Sequence, residues 1–551
     1  MAERYDRQIR QVDVISSEFE TTFFDRFWGE HGQSALKNCS VYLLEASATG
    51  TETLKNLILP GVGSFTVIDD KETKWRDLGR NFFVDQDAAT SHLPRAETTR
   101  QWLQELNDEV LGHSLNISID SFLEEYKPED GLFPVFVCCS LDEQILWKTS
   151  EFCWRHQIPF IYAVSCGFFG FVRIAIPEHC VWDTREELVS QELRLSEPFE
   201  ELEQYCNNFP LESMDDTNHS LVPYAVILVK ALKAFKDSHQ GRRPESREDQ
   251  ETIRALLKSW MRTATEENFV EALKHCHFIK SSIEPNESLQ RIFNDSNAEV
   301  ESIRQKVYSK DRNLEFWILV AAVKQFFIEE HKLPLKGSVP DMISDTESFV
   351  GLQRVYKKRA EKEHWNVYRH VENICKQVGL ETNFLSPCQV FEFCRNIRSI
   401  AVMRYYSIQE EMTNGSILKD ALGSCLARNE QDAYLYVAFR CYLKFYQQQG
   451  RFPGQVMDGN LTSPLDYEQD YLQLVQLAEE YSETCDIEKL QVYLKEMCRC
   501  GDSELHSIAA LTGGIAAQEV VKIITKQFQP LRGWFIFNGA RSTSVTIPLC
   551  T

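Results

Sequence analysis

One short run of residues has the position of a phosphate-binding loop but not its composition. Residues 45–50, Glu-Ala-Ser-Ala-Thr-Gly, follow an apolar stretch at 41–44 and precede a predicted helix. Such a strand-to-helix turn carries the pattern G-x-G-x-x-G when it binds a nucleotide. The first glycine makes the tight turn, and the second lets backbone N–H groups approach a phosphate. Here only the last glycine, Gly50, is present.

The two substituted positions act against phosphate binding. Glu45 places a carboxylate where the first glycine would stand, and Ser47 places a side chain where the second would leave room. A carboxylate repels a phosphate, and the repulsion is strong where water is excluded. The segment therefore predicts a fold of the nucleotide-binding type whose loop binds no nucleotide.

The seventeen cysteines could offer metal or thiol chemistry, but their spacing argues against both. No Cys-x-x-Cys pair occurs. Cys498 and Cys500 form Cys-x-Cys, and the run His275, Cys276, His277 has no partner cluster at zinc-site spacing. We therefore predict no metal site. The chain carries no secretory signal, so we expect all seventeen thiols to be reduced, buried and inert.

Charge and hydropathy limit the classes of partner. The formal net charge is -23, which argues against a general nucleic-acid or anionic-membrane surface and favours protein partners. No apolar run approaches the roughly 18 residues of a membrane span, and the first residues lack the apolar core of a signal peptide. We expect a soluble protein of the cytoplasm, with the nucleus as a further location.

The pattern of apolar and helical segments predicts which elements position the loop. Short apolar segments alternate with helical ones over the first 175 residues, as in a doubly wound parallel sheet. The predicted strands are 41–44, 65–69, 116–119, 135–139 and 160–164, and the predicted helices are 51–59, 95–107 and 142–156. Long helical patterns dominate from about residue 180 to 500. The α/β texture then returns, with a helix at 506–528 and strands at 533–537 and 544–547.

This order predicts one α/β domain interrupted by a large insertion. We assign residues 1–178 and 501–551 to a doubly wound, Rossmann-like domain and residues 179–500 to a mostly α-helical insertion. Three consecutive domains explain the late return of strands less well.

Dispersed motifs carry a resemblance to a known family. They are Tyr-Asp-Arg-Gln-Ile-Arg from Tyr5, Trp-Gly-Glu-His-Gly-Gln from Trp28, Pro-Gly-Val-Gly-Ser-Phe from Pro60, Asn-Phe-Phe from Asn81, Val-Pro-Asp-Met-Ile-Ser-Asp from Val339 and Gly-Gly-Ile-Ala-Ala-Gln-Glu from Gly513. The chain resembles the ubiquitin-like-protein activating enzymes of the MoeB and ThiF superfamily. Over nearly its full length it is most similar to the regulatory subunits of the neddylation-activating enzymes.

The resemblance implies an adenylation domain that has lost its site. Active members keep an aspartate for the magnesium of ATP where this chain has Leu141, and a leucine cannot ligate magnesium. The aspartate that would hold ribose falls on Lys71. Arg80 and Arg95 stand where active members keep basic residues, and we interpret both as solvated surface charges.

The resemblance also implies an insertion without a thioester cysteine. Active partners place that cysteine after proline and before threonine, whereas here Cys388 is followed by Gln389 and Cys485 by Asp486. Residues 179–500 would thus correspond to a catalytic-cysteine domain that lacks its cysteine.

What remains is a role in trans. The resemblance implies a heterodimer with a catalytic subunit that binds Mg-ATP and charges a Nedd-type (Rub) modifier, while this chain binds no cofactor itself. Arg7 corresponds to an arginine that reaches the partner's ATP. Gly513, Gly514 and Gln518 are candidate interface residues. Residues 11–26 interrupt the family pattern and are an ordered addition, a loop or a retained intron.

Three alternatives stay open at this point. The chain could be the equivalent subunit for the Sumo modifier, although that subunit lacks so large an insertion. It could be a self-sufficient adenylyltransferase, which Glu45, Ser47 and Leu141 oppose. It could also be a scaffold without a role in activation.

Overall fold

The computed structural model describes residues 32–128, 131–185, 193–280, 284–413, 415–455 and 464–550, with the backbone alone over 464–466. The chain divides into two compact units. The sheet unit combines Met1–His179 with Met403–Thr551, and the helical unit is Cys180–Val402. The sequence assigns residues 403–500 to the insertion, whereas the structure groups them with the sheet.

The strands form one large mixed sheet and one small pair. They are β1 Cys39–Leu44, β2 Ser64–Ile68, β3 Leu111–Leu115, β4 Phe133–Cys138, β5 Phe160–Cys166, β6 Phe169–Ala175, β7 His179–Val181, β8 Ala401–Met403, β9 Gly533–Asn538 and β10 Thr543–Pro548. The eight-stranded sheet has the order β10-β9-β6-β5-β4-β1-β2-β3, and β7 pairs with β8. Neighbours from β3 to β5 are parallel, and the pairs formed by β6, β9 and β10 are antiparallel.

The described helices surround the sheet and build the helical unit. They are α1 Ala48–Ile58, α2 Trp75–Leu78, α3 Gln86–Ser91, α4 Arg95–Gln104, α5 Ile119–Glu125, α6 Glu143–Arg155, α7 Glu200–Cys206, α8 Asp216–His219, α9 Tyr224–Ser238, α10 Arg247–Trp260, α11 Glu267–His275, α12 Glu287–Phe293, α13 Val300–Ser309, α14 Leu314–Glu330, α15 Thr346–Val378, α16 Pro387–Asn396, α17 Ile408–Thr413, α18 Gly415–Ala427, α19 Tyr434–Gln449, α20 Pro464–Ala478, α21 Ile487–Cys500 and α22 His506–Thr525.

The predicted α/β fold with a helical insertion is confirmed, and its parallel half follows from short apolar runs. Every residue of β1, β2 and β5 is buried, as expected for parallel strands covered on both faces. The predicted strand at 116–119 is wrong. The edge strand is β3, and Ile119 instead begins α5 behind the N-cap Ser118. β3 carries glycine, histidine and serine, so it lacks the apolar run of a central strand.

The antiparallel half of the sheet was not predicted in full. β6 follows β5 through a tight turn at Gly167, whose φ of +53° favours glycine, and β9 then pairs with β6. A doubly wound pattern accounts only for the strands from β3 to β5.

Residues 403–500 join the sheet unit because an aromatic face packs on it. Phe439 of α19 stacks on Phe171 of β6 with ring centroids 4.0 Å apart, and Tyr436 contacts Trp534 of β9 edge to face. The indole of Trp534 donates to buried Glu411 at 2.6 Å. Helical periodicity shows that such a face exists, but it does not show which core the face covers.

The helical unit has two cores that share one long helix. α15 has 33 residues. Its first half packs with α7 in the core that contains Leu352 and Tyr356, and its second half packs with α14 through Val367 and Val371. The buried Glu363 lies between these halves.

One helix meets the length and composition of a membrane span within the described residues. It is α22, and 67% of its most apolar window is buried in the fold.

Candidate functional site

The degenerate loop opens onto a cleft of about 550 Å³ in the sheet unit. The cleft lies at the carboxyl ends of β1, β2 and β4, where the strand order reverses between β1 and β4. Open α/β sheets bind ligands at such a switch point. Its lining includes Glu45, Ser47, Lys71, Arg80, Arg95 and Leu141.

Glu45 keeps the turn of the missing first glycine. Its φ is 71°, in the left-handed region that favours glycine. Its carboxylate lies 2.5 Å from Lys71 Nζ and 3.6 Å from Arg95 Nη2. Burial acts to raise the pKa of Glu45, but these two cations outweigh it and hold the pKa below its ordinary value. The predicted carboxylate is therefore in the cleft, already paired.

Ser47, which stands in place of the second glycine, caps α1 itself. Its hydroxyl accepts the N–H of Gly50 at 3.2 Å. A serine N-cap satisfies one of the free donors at a helix start, and here that donor is one that a phosphate could otherwise use.

The next two amides of α1 bind a glutamate from far along the chain. Ala48 N–H donates to Glu504 Oε2 at 3.2 Å, and Thr49 N–H donates to Glu504 Oε1 at 3.4 Å. The hydroxyls of Thr49 and Ser165 lie 3.2 and 3.4 Å from Oε1 and 2.8 Å from each other, so their two protons are shared among these three contacts. Burial raises the pKa of Glu504 against the effect of these donors.

The remaining amides of the loop also have partners within the chain. Glu45 N–H donates to Ile68 O, Ala46 N–H to Asp69 Oδ2, and Ser47 N–H to Glu45 O. All six N–H groups of residues 45–50 therefore donate to the protein itself. A phosphate could enter only by displacing these bonds.

Gly50 is retained for packing. A Cβ at this position would lie 2.7 Å from Leu43 Cδ1 and 3.0 Å from Cys139 Sγ. The third glycine of such a loop permits close contact between helix and strand. That need survives the loss of a ligand.

The interpretation of Arg80 and Arg95 as solvated surface charges is wrong. The Arg95 side chain is 9% exposed; its Nε donates to Asp69 Oδ2 at 2.8 Å, and its Nη2 forms an ion pair with the same oxygen at 2.7 Å. Arg80 is 24% exposed and donates to the backbone oxygen of Asp502 at 2.7 Å. Both acidic partners lie just after the end of an element: Asp69 follows β2 and Asp502 follows α21. The sequence shows these carboxylates, but residue spacing alone does not show which arginines they contact.

Leu141 lines the cleft and packs partly buried against the sheet core. The adjacent carboxylate, Asp142, is used as the N-cap of α6 and accepts Gln144 N–H at 2.8 Å. Among the residues that the structure describes, no group of three or more His, Cys, Asp or Glu side chains could hold a metal ion.

The thiols are mostly but not all buried. Fifteen cysteines are buried, Cys550 is partly exposed and Cys388 is exposed. Burial raises the pKa of Cys485 to about 11, so this thiol is protonated at neutral pH. The expectation that all seventeen are buried is wrong for Cys388, in the first turn of α16.

The three interface candidates of α22 face in different directions. A Cβ at Gly513 would lie 2.8 Å from both Glu52 Cβ and Thr49 O of α1, so Gly513 serves packing within this chain. A Cβ at Gly514 would meet no atom within 4 Å, and Gln518 is exposed. Their role at an interface stays a prediction. Arg7 and residues 11–26 lie outside the described residues.

Comparison with known proteins decides the family. The sequence matches the ThiF family over residues 21–549. It is 35% identical to "NEDD8-activating enzyme E1 regulatory subunit AXL" of Arabidopsis thaliana over 99% of both chains. It is 33% identical to the NEDD8-activating enzyme E1 regulatory subunit of Xenopus laevis, over 99% of this chain and 98% of that one.

The chain belongs to the ThiF family and, within it, to the regulatory subunits of the NEDD8-activating E1 enzyme. The predicted family is thus confirmed, and the names of these relatives favour the Nedd-type prediction over the Sumo alternative. A solved structure of E. coli MccB with ATP shows 17% identity over 34% of this chain and 60% of that chain. Its TM-score of 0.26 is too low to support an argument.

Proposed function

We propose that this chain is the non-catalytic subunit of a heterodimer that activates a Nedd-type modifier. The catalytic partner binds Mg-ATP, adenylates the C-terminal glycine of the modifier and takes it as a thioester. The observation that carries the proposal is the closed loop: all six amides of residues 45–50 are bonded within a chain of regulatory-subunit sequence.

The charges of the cleft support the absence of catalysis in cis. A nucleotide brings several negative charges, and at the loop it would meet the carboxylates of Glu45 and Glu504. The nearest cations, Lys71 and Arg95, are already paired with Glu45 and Asp69. Leu141 offers no oxygen for the metal that would otherwise screen the phosphates. We expect calorimetry to detect no Mg-ATP binding to the lone chain.

The contribution in trans is assigned to Arg7. A guanidinium is planar, permanently charged and able to donate two parallel hydrogen bonds, so it suits a terminal phosphate at a subunit interface. Other nucleotide-using enzymes receive such an arginine from a partner chain. The family motif that begins at Tyr5 supports this assignment.

The test is kinetic and uses the reconstituted heterodimer. Arg7→Ala should leave the heterodimer intact and slow modifier adenylation, measured by pyrophosphate exchange. Loss of one charge-assisted contact to a developing phosphate charge costs about 2 to 4 kcal/mol, on the order of a hundredfold in rate. Arg7→Lys should restore only part of the rate because the ammonium lacks the fork.

Arg4→Ala is the matched control, since it removes an arginine of the same segment outside the motif. It should keep the wild-type rate. An Arg7→Ala heterodimer with wild-type exchange kinetics would refute the role of Arg7 and leave the chain a purely structural partner.

A further inference from the structure

We propose that Glu504 is a built-in ligand of the degenerate loop: its carboxylate occupies the anion position at the start of α1 and closes that position to phosphate. The inference concerns this chain alone and does not depend on the activity of a partner.

The donor set around Glu504 is the one a phosphate would use. Ala48 and Thr49 are the first two residues of α1, so their N–H groups have no acceptor within the helix and lie at its positive end. Each donates to a different oxygen of the carboxylate. The hydroxyls of Thr49 and Ser165, which also bond to each other at 2.8 Å, complete the polar surroundings of Oε1. The anion is thus held by two amides and two hydroxyls at a strand-to-helix turn.

The position of Glu504 is fixed by its backbone. The residue lies 456 positions after Ala48, in the link between α21 and α22. Glu504 forms an isolated parallel bridge with Gly167, whose N–H donates to Ser503 O at 2.8 Å. Tyr442 anchors the same link by donating to Gly501 O at 2.7 Å. The carboxylate is therefore presented by a segment held on both sides, as a bound ligand would be.

Its charge is compensated as a ligand's would be. Among the described residues, no ion pair joins Glu504 to a lysine or arginine, and Arg80 pairs with Asp502 instead. Compensation comes from the amides, the hydroxyls and the helix dipole, with a further contribution from the charge of Arg80. An ordinary structural glutamate offers a different case: Glu519, in α22, pairs with Lys522 at 2.6 Å and accepts Leu531 N–H at 2.7 Å.

These observations give two distinguishable outcomes on removal of the side chain. If Glu504 only caps α1, its loss lowers stability and nothing replaces it. If it fills an anion position, its loss leaves two amides and two hydroxyls that a free anion can bind. Glu45 would still oppose that anion from the other side of the loop.

The experiment follows thermal unfolding of the full chain in inorganic phosphate, with sodium chloride of equal ionic strength as reference. Changing from chloride to phosphate should shift the melting temperatures of wild type and Glu519→Ala by the same amount, which measures the general effect of the salt. Glu504→Ala should melt a few degrees below wild type in chloride. In millimolar phosphate it should recover part of that loss, because binding to the folded state raises the melting temperature. Glu45→Gly combined with Glu504→Ala should respond at lower phosphate.

Glu504→Gln serves as the filling control, since its amide keeps the position occupied and should give no phosphate response. A Glu504→Ala chain that responds to phosphate no more than Glu519→Ala would overturn the proposal. If Glu504→Ala is recovered only as aggregate in chloride, recovery of folded chain in phosphate supports the proposal, and equal aggregation in both salts overturns it.

Discussion

Two glutamates, a buried one in the helical unit and a partly buried one in the sheet unit, show two ways of holding a negative charge. In the helical unit, Glu363 accepts Arg194 Nη1 and Nη2 at 2.6 and 2.8 Å and Arg359 Nε at 2.7 Å. In the sheet unit, Glu504 is held by amides and hydroxyls. Burial acts to raise the pKa of both groups. Arginines outweigh burial at Glu363 and lower its pKa, whereas burial prevails at Glu504 and raises it.

The difference separates a structural charge from a substitute ligand. Glu363 neutralises Arg194 and Arg359, and these two arginines in turn neutralise Glu363. Leu335 N–H donates a further hydrogen bond to Glu363 at 3.0 Å. Glu504 instead occupies the anion position that we propose at the start of α1. Loss of Glu363 should therefore be damaging because a buried cation remains. Loss of Glu504 should be milder because the groups left behind are neutral and can be reached by a free anion.

The largest effect is expected for Glu363→Ala. Arg194 is 2% exposed and would keep its charge without a carboxylate. Breaking a buried pair by removing one partner costs about 3 to 5 kcal/mol. The free energy of unfolding, measured by urea denaturation with tryptophan fluorescence, should fall by that amount.

Glu201→Ala is the matched control for this network. Glu201 lies 3.5 Å from Arg359 and its side chain is 43% exposed, so its loss should cost less than about 1 kcal/mol. Equal effects of the two substitutions would remove the distinction between the network and an ordinary surface pair.

The next effect sharpens the comparison at α22, the helix that follows the Glu504 link. Gly513→Ala places a methyl 2.8 Å from Thr49 O, a backbone atom that cannot turn away. We expect a loss of about 1 to 3 kcal/mol from overpacking. Gly514→Ala meets open space and should gain up to about 1 kcal/mol from helix propensity. Urea denaturation of both variants would check this, and a loss at Gly514 as large as at Gly513 would contradict it.

The sequence predicted the loss of the loop but not what replaced its ligand. Glu45 and Ser47 are visible because the glycine pattern has fixed spacing within six residues. Glu504 has no such signal, since it approaches the loop only through the fold, 456 residues later. Arg95 carries no such signal either, because its partner Asp69 lies 26 residues away, directly after β2.

The same distinction applies to the fold: local sequence predicts some elements, and others depend on contacts between distant segments. Continuous apolar runs indicate central parallel strands, so the sequence predicts β1, β2, β4 and β5 close to their observed bounds. The edge strand β3 is polar and half exposed, so the prediction slipped onto the next apolar segment. Helix patterns between 403 and 500 specify an apolar face and not its partner, so their packing on the sheet became known only from the structure.

The pH dependence of stability should differ in sign between the two glutamates. Glu363 has its pKa lowered below about 4.5, so the stability it contributes is present above that pH and is lost as pH falls through the folded-state pKa. Glu504 has its pKa raised above about 4.5, so stability rises as pH falls from neutrality through its folded-state pKa. The measurement is the free energy of unfolding of wild type, Glu363→Gln and Glu504→Gln between pH 3 and 7, and the slopes of that free energy against pH are compared. A Glu504→Gln chain with the wild-type slope above pH 4.5 would contradict the assignment.

The smallest effect is expected for Glu45→Gly, which restores the first glycine of the loop. The substitution relieves a left-handed φ of 71° that costs a residue with a side chain about 1 kcal/mol. It also removes the pair with Lys71, whose side chain is 50% exposed, and such pairs contribute about 0 to 1 kcal/mol. The two terms nearly cancel, so stability should change by less than about 1 kcal/mol.

Glu45→Ala keeps the strained φ without the pair and should be the less stable of the two. Phosphate should still not bind to Glu45→Gly, because Glu504 continues to occupy the amides. A loss above about 2 kcal/mol for Glu45→Gly would instead place Glu45 with Glu363, as a structural charge whose removal strands the buried Arg95.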